Sequence, residues 1–242
     1  MLFHETGRTD RPHLKRALTL SLTVLFGLGV TIGAGIYVLI GTTAGRAGVH
    51  APVAFLLAAL VMAPTAASFA EFATRIPKSA GEAAYVRAGF GSERLALLIG
   101  LLVIAVGVIS AAAISRGSAG YIRIFILAPT EVIVISVVLA MGAIAAWGTL
   151  QSVALVGFMT LIEIGGLLLI ITIGLAKIPD MSGQISTAAS GLMELSAWSG
   201  VLSATLLAFF AFIGFEGLAN IAEEVKDPER TLPRAIFITL GL

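Results

Sequence analysis

Two glycine-rich stretches decide the fold: IGAGI at residues 32–36 and FIGFEG at residues 212–217. Each stretch lies in an apolar run long enough for a helix, and each places glycines in the middle part of that helix. In the second stretch the glycines flank a carboxylate. Glycine in a helix interior costs up to about 1 kcal/mol relative to alanine. A charged residue near the centre of an apolar span costs about 2.5–3.5 kcal/mol. The two stretches therefore predict helices that open at these points.

The composition around these stretches defines the class of protein. Of 242 residues, 58% are hydrophobic and 12% are charged, about half the charged share of a soluble domain. The mean hydropathy is +1.02. This composition excludes a water-soluble protein. The lack of cysteine excludes a disulfide scaffold and a cysteine nucleophile. A net charge of +1 gives no indication of nucleic acid as a partner. We expect an all-α polytopic membrane protein.

Six apolar windows, with one acid among them, are long enough to cross a bilayer, which takes about 20 residues. A seventh apolar run, Ala235–Leu242, is too short to span. Because hydrocarbon offers no hydrogen bonds, backbone groups must pair within each segment, and the windows predict helices. The six windows are Ala17–Gly41, Ala51–Ala70, Leu95–Ser115, Val132–Leu150, Ser152–Ala176 and Leu195–Phe215.

Lysine and arginine in the predicted loops indicate the orientation. Eleven of them fall on the side of the N-terminus and four on the opposite side. This asymmetry predicts that residues 1–16 form a cytoplasmic tail and that the chain is a multi-pass protein of the cell (plasma) membrane.

The two glycine-rich stretches lie in spans one and six, roughly 180 residues apart. If span six begins a second copy of span one, the repeat has five helices, and the second copy enters the membrane inverted. Paired interrupted helices in an inverted repeat indicate a transporter binding site. The ends of broken helices offer N–H groups to a carboxylate and carbonyls to an ammonium, which suits a zwitterionic amino acid. The alternative is close helix packing, because Gly29/Gly33 and Gly41/Gly45 fit the small-xxx-small pattern.

Three motifs resemble the amino acid–polyamine–organocation (APC) superfamily of permeases. They are the IGAGI stretch, AEFATRIPKSAGEAAYVRAGFG at residues 70–91, and FFAFIGFEGLANIAEEVKDPERTLPRAI at residues 209–236. The last is similar to the sixth helix and following loop of bacterial amino acid permeases and cationic amino acid transporters. The resemblance runs from about Arg16 to the end of the chain.

The resemblance implies a LeuT-type 5+5 inverted-repeat fold. Residues 17–242 would form the permease transmembrane domain, with a first repeat at about 17–178 and a second repeat from about 195. The chain would be truncated after six full spans and the start of the seventh. We therefore expect that it does not transport by itself.

The resemblance also implies a substrate site at the opened parts of helices one and six. The backbone of Gly33, Ala34 and Gly35 would bind the substrate carboxylate, and carbonyls around Phe212, Ile213 and Phe215 would face its amino group. Phe212 or Phe215 would act as a thin gate. The predicted substrate-binding set is Ile32, Gly33, Ala34, Gly35, Ile36, Phe212, Ile213, Gly214 and Phe215.

Two carboxylates in the spans are candidates for proton coupling. Glu163 falls near the place where proton-coupled relatives carry a lysine on helix five, so it either carries a proton itself or only hydrogen-bonds a neighbouring helix. We expect Glu216 to hydrogen-bond the free backbone of the opened sixth helix, with a second proton-binding role as the other interpretation.

The remaining predictions concern the gate and the overall activity. Glu71 is expected to form a salt bridge that closes the inner gate, with Arg75 at i+4 as the simplest partner. The run Glu223–Pro228 is interpreted as a solvated loop in which the proline stops the sixth helix. The three histidines are scattered outside the spans, so we expect no metal site, and no cofactor or enzyme motif is present.

The function expected is secondary active transport of amino acids by alternating access, proton-coupled or by exchange. The substrate and the lipid bilayer are the expected partners, together with protons in the coupled case, and the sequence leaves the oligomeric state open. The alternative is a non-transporting membrane sensor or assembly module that binds amino acids.

Overall fold

A computed structural model describes residues 16–177 and 181–242. Within them the chain forms α-helices joined by short turns, including 3-10 turns at Gly48–His50 and Ala222–Glu224. Most of the predicted cytoplasmic tail, residues 1–15, lies outside the described residues. The helices are α1 (Leu20–Ala47), α2 (Ala51–Arg75), α3 (Gly81–Phe90), α4 (Glu93–Ile122), α5 (Thr130–Trp147), α6 (Thr149–Lys177), α7 (Met181–Gly191), α8 (Leu195–Phe212), α9 (Gly217–Asn220) and α10 (Pro228–Gly241).

Five apolar stretches of the described chain are long enough to cross a membrane, and the first of them, Leu20–Arg75, contains both α1 and α2. The six predicted windows thus fall on α1, α2, α4, α5, α6 and α8, and the prediction of an all-α, multi-pass membrane protein is confirmed. Large apolar side chains such as Leu98 on α4 and Leu169 on α6 are exposed on the outer surface, where a bilayer would cover them.

Three boundaries differ from the predicted ones. The loop after α2 contains an additional helix, α3, which ends at the left-handed Gly91 (φ 62°). The α5–α6 boundary falls at Gly148 (φ 139°) rather than after Leu150, because glycine alone adopts that conformation at low cost. Pro228 begins α10 instead of stopping the sixth span, since a first helical turn needs no N–H at that position.

Helix α1 runs through the centre of the molecule, antiparallel to α8. Three close approaches establish the direction, because Arg46 lies against Gly200, Gly35 against Ala211 and Val30 against Gly214. The residue numbers rise on one helix as they fall on the other. This antiparallel pairing of spans one and six is what an inverted repeat requires.

Helix α6 packs on another face of α1 and runs parallel to it. Leu25 of α1 contacts Gly157 of α6, and further along both helices Tyr37 reaches Gly166. A buried hydrogen bond joins the two helices, from Thr160 Oγ1 to the Leu25 carbonyl at 3.1 Å. The same hydroxyl also donates to the Val156 carbonyl of its own helix at 2.8 Å, so it is satisfied within α6 and adds a contact to α1.

The largest buried cluster lies where the start of α1, the end of α2, the α9 segment and α10 meet. Phe215, Leu218 and Ile236 are completely or almost completely buried there. The chain before α1 is anchored to the same region by backbone bonds, because Leu18 N–H donates to Glu224 O at 3.0 Å and Lys226 N–H donates to Leu18 O at 2.8 Å. The segment that follows the sixth span is thus hydrogen-bonded to the segment that leads into the first.

Candidate functional site

The predicted interruption of the sixth span is present. Helix α8 ends at Phe212, and the chain passes through a turn at residues 213–216 before α9 begins at Gly217. Gly214 has φ 128°, a conformation that side chains rarely adopt. The Gly214 N–H donates to Glu216 Oε2 at 2.7 Å. Glu216 therefore makes the expected hydrogen bond to the opened backbone. The Ile213 N–H donates to the Phe210 carbonyl at 3.2 Å, and in the described structure the turn at 213–216 supplies no backbone donor to the other carbonyls of the last α8 turn.

The predicted interruption of the first span is absent, and that expectation was wrong. Helix α1 is continuous from Leu20 to Ala47 and includes Gly33, Ala34 and Gly35. Its glycines serve close packing, which was the alternative interpretation. A Cβ built on Gly35 would come within 2.7 Å of Ala211 Cα, and Gly29 lies directly against Thr160. Glycine lowers helix propensity but still takes part in the hydrogen-bond ladder, so packing on α6 and α8 is compatible with an unbroken helix.

Packing accounts for only part of the small-xxx-small pattern. A Cβ on Gly41 or Gly45 would meet nothing within 4 Å. The packing interpretation therefore holds for Gly29 and Gly33, which lie against Thr160 and Glu163 of α6, whereas Gly41 and Gly45 face open space in the described structure.

A cavity of about 580 Å³ lies between α1, α3, α4 and the broken α8–α9 region. Its α4 wall carries Gly107 and Ser110 among branched apolar side chains, so it is wide there. Glu82 and Glu216 are the only charged residues among those that line it, and no basic side chain lines it. From the predicted set, the lining includes Gly35, Ile213 and Gly214.

Other predicted residues lie elsewhere. Ile32, Ile36 and Phe212 line a second cavity of about 320 Å³ against α2, α6 and α10. Gly33 faces α6. Ala34 is part of continuous α1, and the structure does not describe its side chain. The predicted residues thus do not converge on one site.

Phe215 does not face the cavity, so the prediction that it acts as a thin gate was wrong. It is 1% exposed and packs edge-on against Phe69, with ring centroids 5.5 Å apart and planes at 81°. The turn after Phe212 directs the ring into the buried cluster, where its apolar area is removed from water. A Phe212 gate stays a prediction.

Glu163 lies in the interface between α6 and α1. Its Oε1 would be 3.4 Å from a Cβ built on Gly33, so the carboxyl group occupies the space that the absent side chain leaves. Its Oε2 is buried and has no hydrogen-bond partner among the described residues. The bond that joins the two helices here uses the Glu163 backbone carbonyl instead, which accepts from the Tyr37 hydroxyl at 2.7 Å.

Glu71 and Arg75 form the predicted salt bridge, with Oε1 and the Arg75 Nη2 atom 2.6 Å apart. Both side chains are largely exposed. The pair lies on one helix, α2, so this bridge does not itself connect two elements, and the gate stays a prediction.

Sequence reasoning missed Glu82 and Tyr85, which lie on α3 at the end of the cavity near α9. Glu82 lines the cavity, and its Oε2 atom is buried without a partner in the described structure. Burial raises the pKa of Glu82, the charge of Glu216 raises it further, and a backbone hydrogen bond opposes both effects. Burial, with a contribution from Glu82, raises the pKa of Tyr85 to about 12. The sequence feature that could have identified them is an acid three residues before a tyrosine in a short segment between two predicted spans.

The described residues contain no group of three or more histidines, cysteines or acids that could hold a metal ion. The cavity instead offers backbone carbonyls at a helix break, two carboxyl groups and apolar walls. This arrangement suits a small organic molecule with a positively charged group.

Membrane-spanning helices, one of them broken beside an internal cavity, define the chain as an all-α, multi-pass membrane protein. The family described as "Amino acid permease" matches residues 18–242. The chain therefore belongs to the amino acid permease family of the APC superfamily and corresponds to its N-terminal part. Members of this family are transporters and not enzymes.

Curated relatives support the assignment over nearly the whole chain. The branched-chain amino acid permease BcaP of Bacillus subtilis (strain 168) is 31% identical over 248 residues, which are 94% of this chain and 52% of the relative. The methylthioribose transporter of the same bacterium is 30% identical and covers 98% of this chain and 54% of itself. The vacuolar cationic amino acid transporter 4 of Arabidopsis thaliana is 30% identical over an alignment that covers 96% of this chain and 42% of the relative. The chain thus spans about half the length of these relatives.

Proposed function

We propose that the protein carries amino acids across a membrane by alternating access, in exchange for another substrate or together with protons. The observation that carries the proposal is the cavity at the α8 break, where Gly214 and Glu216 line the wall beside the end of α8. The carbonyls of the last α8 turn are candidate acceptors for a substrate ammonium group, and the cavity lining includes acidic side chains and no basic one.

Recognition of the substrate carboxylate by Gly33, Ala34 and Gly35 is part of the same proposal, and it requires α1 to open. In the continuous helix these N–H groups belong to the helical ladder. Opening of α1 around Gly33 would place free N–H groups opposite the α8 break, because Gly35 already contacts Ala211. We propose that binding of the substrate stabilises this opened state of α1.

We further propose that Glu163 carries the coupling proton. Its side chain faces α1 at Gly33, and its buried Oε2 has no partner among the described residues. An unpaired carboxyl group in a helix interface is easier to bury in its neutral form than as a charge. Opening of α1 at Gly33 would change the surroundings of Glu163, which links proton release to substrate binding.

The proposed fold of the whole protein is the LeuT-type 5+5 repeat, with the antiparallel contact of α1 and α8 as its support. A cytoplasmic N-terminus is proposed from the charge asymmetry of the loops. A plasma-membrane location is also part of the proposal, although the relatives include a protein named as vacuolar. An inner-gate role for Glu71 and Arg75 requires contact with a second element when the cavity closes. Phe212 remains the proposed thin gate.

The substrate class is also a proposal, because a methylthioribose transporter is as similar to the chain as the amino acid carriers are. The relatives named for amino acids support a zwitterionic substrate, and the acidic cavity supports an amino group in it. The open α4 wall at Gly107 and Ser110 leaves room for a large side chain.

The test is uptake of radiolabelled amino acids into proteoliposomes that contain the gene product carrying this sequence. Gly107→Leu is the blocking variant, because Gly107 lines the cavity and a Cβ there would meet nothing within 4 Å. The first carbon of the added side chain therefore enters open space at the cavity wall, and the rest of the leucine narrows the cavity. Gly142→Leu is the matched control on α5, where a Cβ also meets nothing within 4 Å.

We expect amino acid uptake by the wild type and by Gly142→Leu and its loss in Gly107→Leu. Uptake that is equal in the two variants would contradict a substrate path through this cavity. Binding of labelled amino acids without any uptake by the wild type would contradict transport and support the sensor alternative.

A further inference from the structure

The α3 end of the cavity contains two acids, Glu82 and Glu216, and a buried phenol, Tyr85, lies on the same helix as Glu82. Glu82 and Glu216 approach from different elements, α3 and the turn before α9, and both line the cavity. Tyr85 follows Glu82 by one helical turn on the same face of α3 and is 7% exposed. Two acids thus share a cavity whose described lining includes no basic side chain, and Tyr85 is buried one turn along α3 from one of them.

The hydrogen bonds of the two carboxyl groups differ. Glu216 Oε2 accepts from the Gly214 N–H at 2.7 Å, so it has a donor suited to a carboxylate. Glu82 Oε2 and the Tyr85 hydroxyl are both buried without a partner in the described structure. A backbone hydrogen bond stabilises the charged form of Glu82 in part. Oε2 itself has no donor, and a protonated carboxyl would supply one of its own there.

Among the described residues that line the cavity beside Glu82, none is basic. On α4, the residues that face the cavity near it are apolar, namely Ile99, Leu102 and Val103. Arg87 on α3 is paired with Glu93 instead. On α2, Phe69 and Phe72 contact the Tyr85 ring. The 3-10 turn after α9 carries Glu223 and Glu224, and the Glu223 N–H is bonded to Ser79.

We propose that Glu82 is a proton-binding site, held neutral at the α3 end of the cavity that it shares with Glu216. Two carboxyl groups in one apolar site do not ionise together at low cost, so one of them keeps a proton. The raised pKa of Glu82 agrees with this arrangement. As a coupling site the pair rests on the proposed transport function, but proton binding itself does not require transport.

Protonation of Glu82 also has a structural consequence. Gly81 has φ 42°, and a Cβ on it would come within 2.6 Å of Asn220 Oδ1 at the end of α9. Helices α3 and α9 therefore pack closely at the residue before Glu82. Ionisation of Glu82 would place two negative charges on either side of this contact and favour separation of α3 from the α9 segment.

The test is an infrared pH titration of the reconstituted protein, without substrate, that follows the C=O stretch of protonated carboxyl groups. All variants carry Glu163→Gln, which removes the signal of the other buried acid. We expect this background to retain the C=O band of a protonated carboxyl group at pH values above those at which ordinary carboxyl groups ionise. Adding Glu82→Gln removes the band, and adding Glu216→Gln shifts its titration to lower pH because a like charge is lost. Adding Glu131→Gln, at an exposed position on α5, leaves the band unchanged.

Persistence of the band in the Glu82→Gln variant would overturn the proposal. An unchanged titration in the Glu216→Gln variant would also overturn it, and this variant leaves Glu82 in place if Glu82→Gln folds poorly. The titration uses no substrate, so it is independent of the uptake test. A failure of either test does not contradict the result of the other.

Discussion

Gly35 of α1 lies directly against Ala211 of α8, so close that a Cβ on Gly35 would be 2.7 Å from Ala211 Cα and 2.9 Å from Ala211 Cβ. This contact lies one residue before Phe212, where α8 ends. It therefore fixes the position of the unbroken first span relative to the break in the sixth. The cavity opens beside it, and Gly35 contributes to the cavity wall.

Alanine at Gly35 is expected to destabilise the fold, because its methyl group meets backbone atoms that cannot move aside independently. Overpacking of this kind costs about 1–3 kcal/mol. Gly41→Ala is the matched control on the same helix, since a Cβ there meets nothing within 4 Å, and loss of a helical glycine stabilises by about 0.5–1 kcal/mol. Thermal unfolding in detergent measures both. Equal unfolding midpoints for the two variants would contradict the close approach of α1 and α8.

Removal of the Glu216 carboxyl is expected to release the Gly214 amide. In Glu216→Leu this N–H loses its acceptor at the helix break, which costs about 1–3 kcal/mol if the group stays buried. Hydrogen exchange of the residue 213–217 segment should accelerate strongly. Glu216→Gln retains an amide oxygen as acceptor, so a smaller acceleration is expected. Exchange that is the same in the wild type and Glu216→Leu would show that the bond does not hold the turn.

Tyr37→Phe is expected to weaken the contact between α1 and α6. The variant loses the hydrogen bond from the Tyr37 hydroxyl to the Glu163 carbonyl, worth about 0.5–1.5 kcal/mol. Tyr121→Phe is the comparison, because Tyr121 donates to the Tyr37 carbonyl at 2.8 Å from an exposed position. Chemical unfolding should show the larger loss for Tyr37→Phe. The reverse order would argue against a structural role for the Tyr37–Glu163 bond.

The stability of the chain is expected to depend on pH through Glu82. The folded chain binds the Glu82 proton more tightly than the unfolded chain, because burial raises the folded pKa above the ordinary value of 4.5. The free energy of unfolding therefore falls as pH rises from that value through the raised pKa, and it levels off above. In a Glu163→Gln background, which removes the other buried acid, adding Glu82→Gln should abolish this decrease, whereas adding Glu131→Gln should retain it. A decrease of the same size in Glu82→Gln would assign it to another group.

Neutralisation of Glu71 is expected to have little effect on stability. The Glu71–Arg75 pair is exposed and lies within one helix, and such pairs contribute about 0.3–0.5 kcal/mol. Glu71→Gln should therefore unfold within about 0.5 kcal/mol of the wild type. A change in uptake without a change in unfolding would support the proposed gate, and loss of both would indicate a structural role instead.

The spans and the break in the sixth helix could be predicted from the sequence because both depend on local chemistry. Uncharged windows of sufficient length define the helices. A glycine pair around Glu216 identifies the break, because the carboxylate needs a donor and the opened backbone needs an acceptor. That complementarity is local, and the observed bond joins residues two positions apart.

The continuity of α1 and the direction of Phe215 could not be predicted, because both depend on neighbours distant in sequence. The glycines of α1 are compatible with an open helix and with close packing, and the contacts with Thr160 and Ala211 decide between them. Phe215 follows a glycine with positive φ, which turns its ring toward Phe69. Glu82 was missed because its importance arises only when α3 meets the α9 segment.

We propose that the α8 break binds the amino group of the substrate. Hydrogen–deuterium exchange is the most direct test of this binding. The gene product carrying this sequence is measured alone, with an equimolar mixture of the standard amino acids, and with their N-acetyl derivatives. We expect the free amino acids to slow exchange in residues 209–220 and the N-acetyl derivatives to leave it unchanged. Neither set of compounds should change the exchange rate of α5. Exchange in residues 209–220 that is unchanged by the free amino acids, or slowed equally by the N-acetyl derivatives, would contradict the proposed binding.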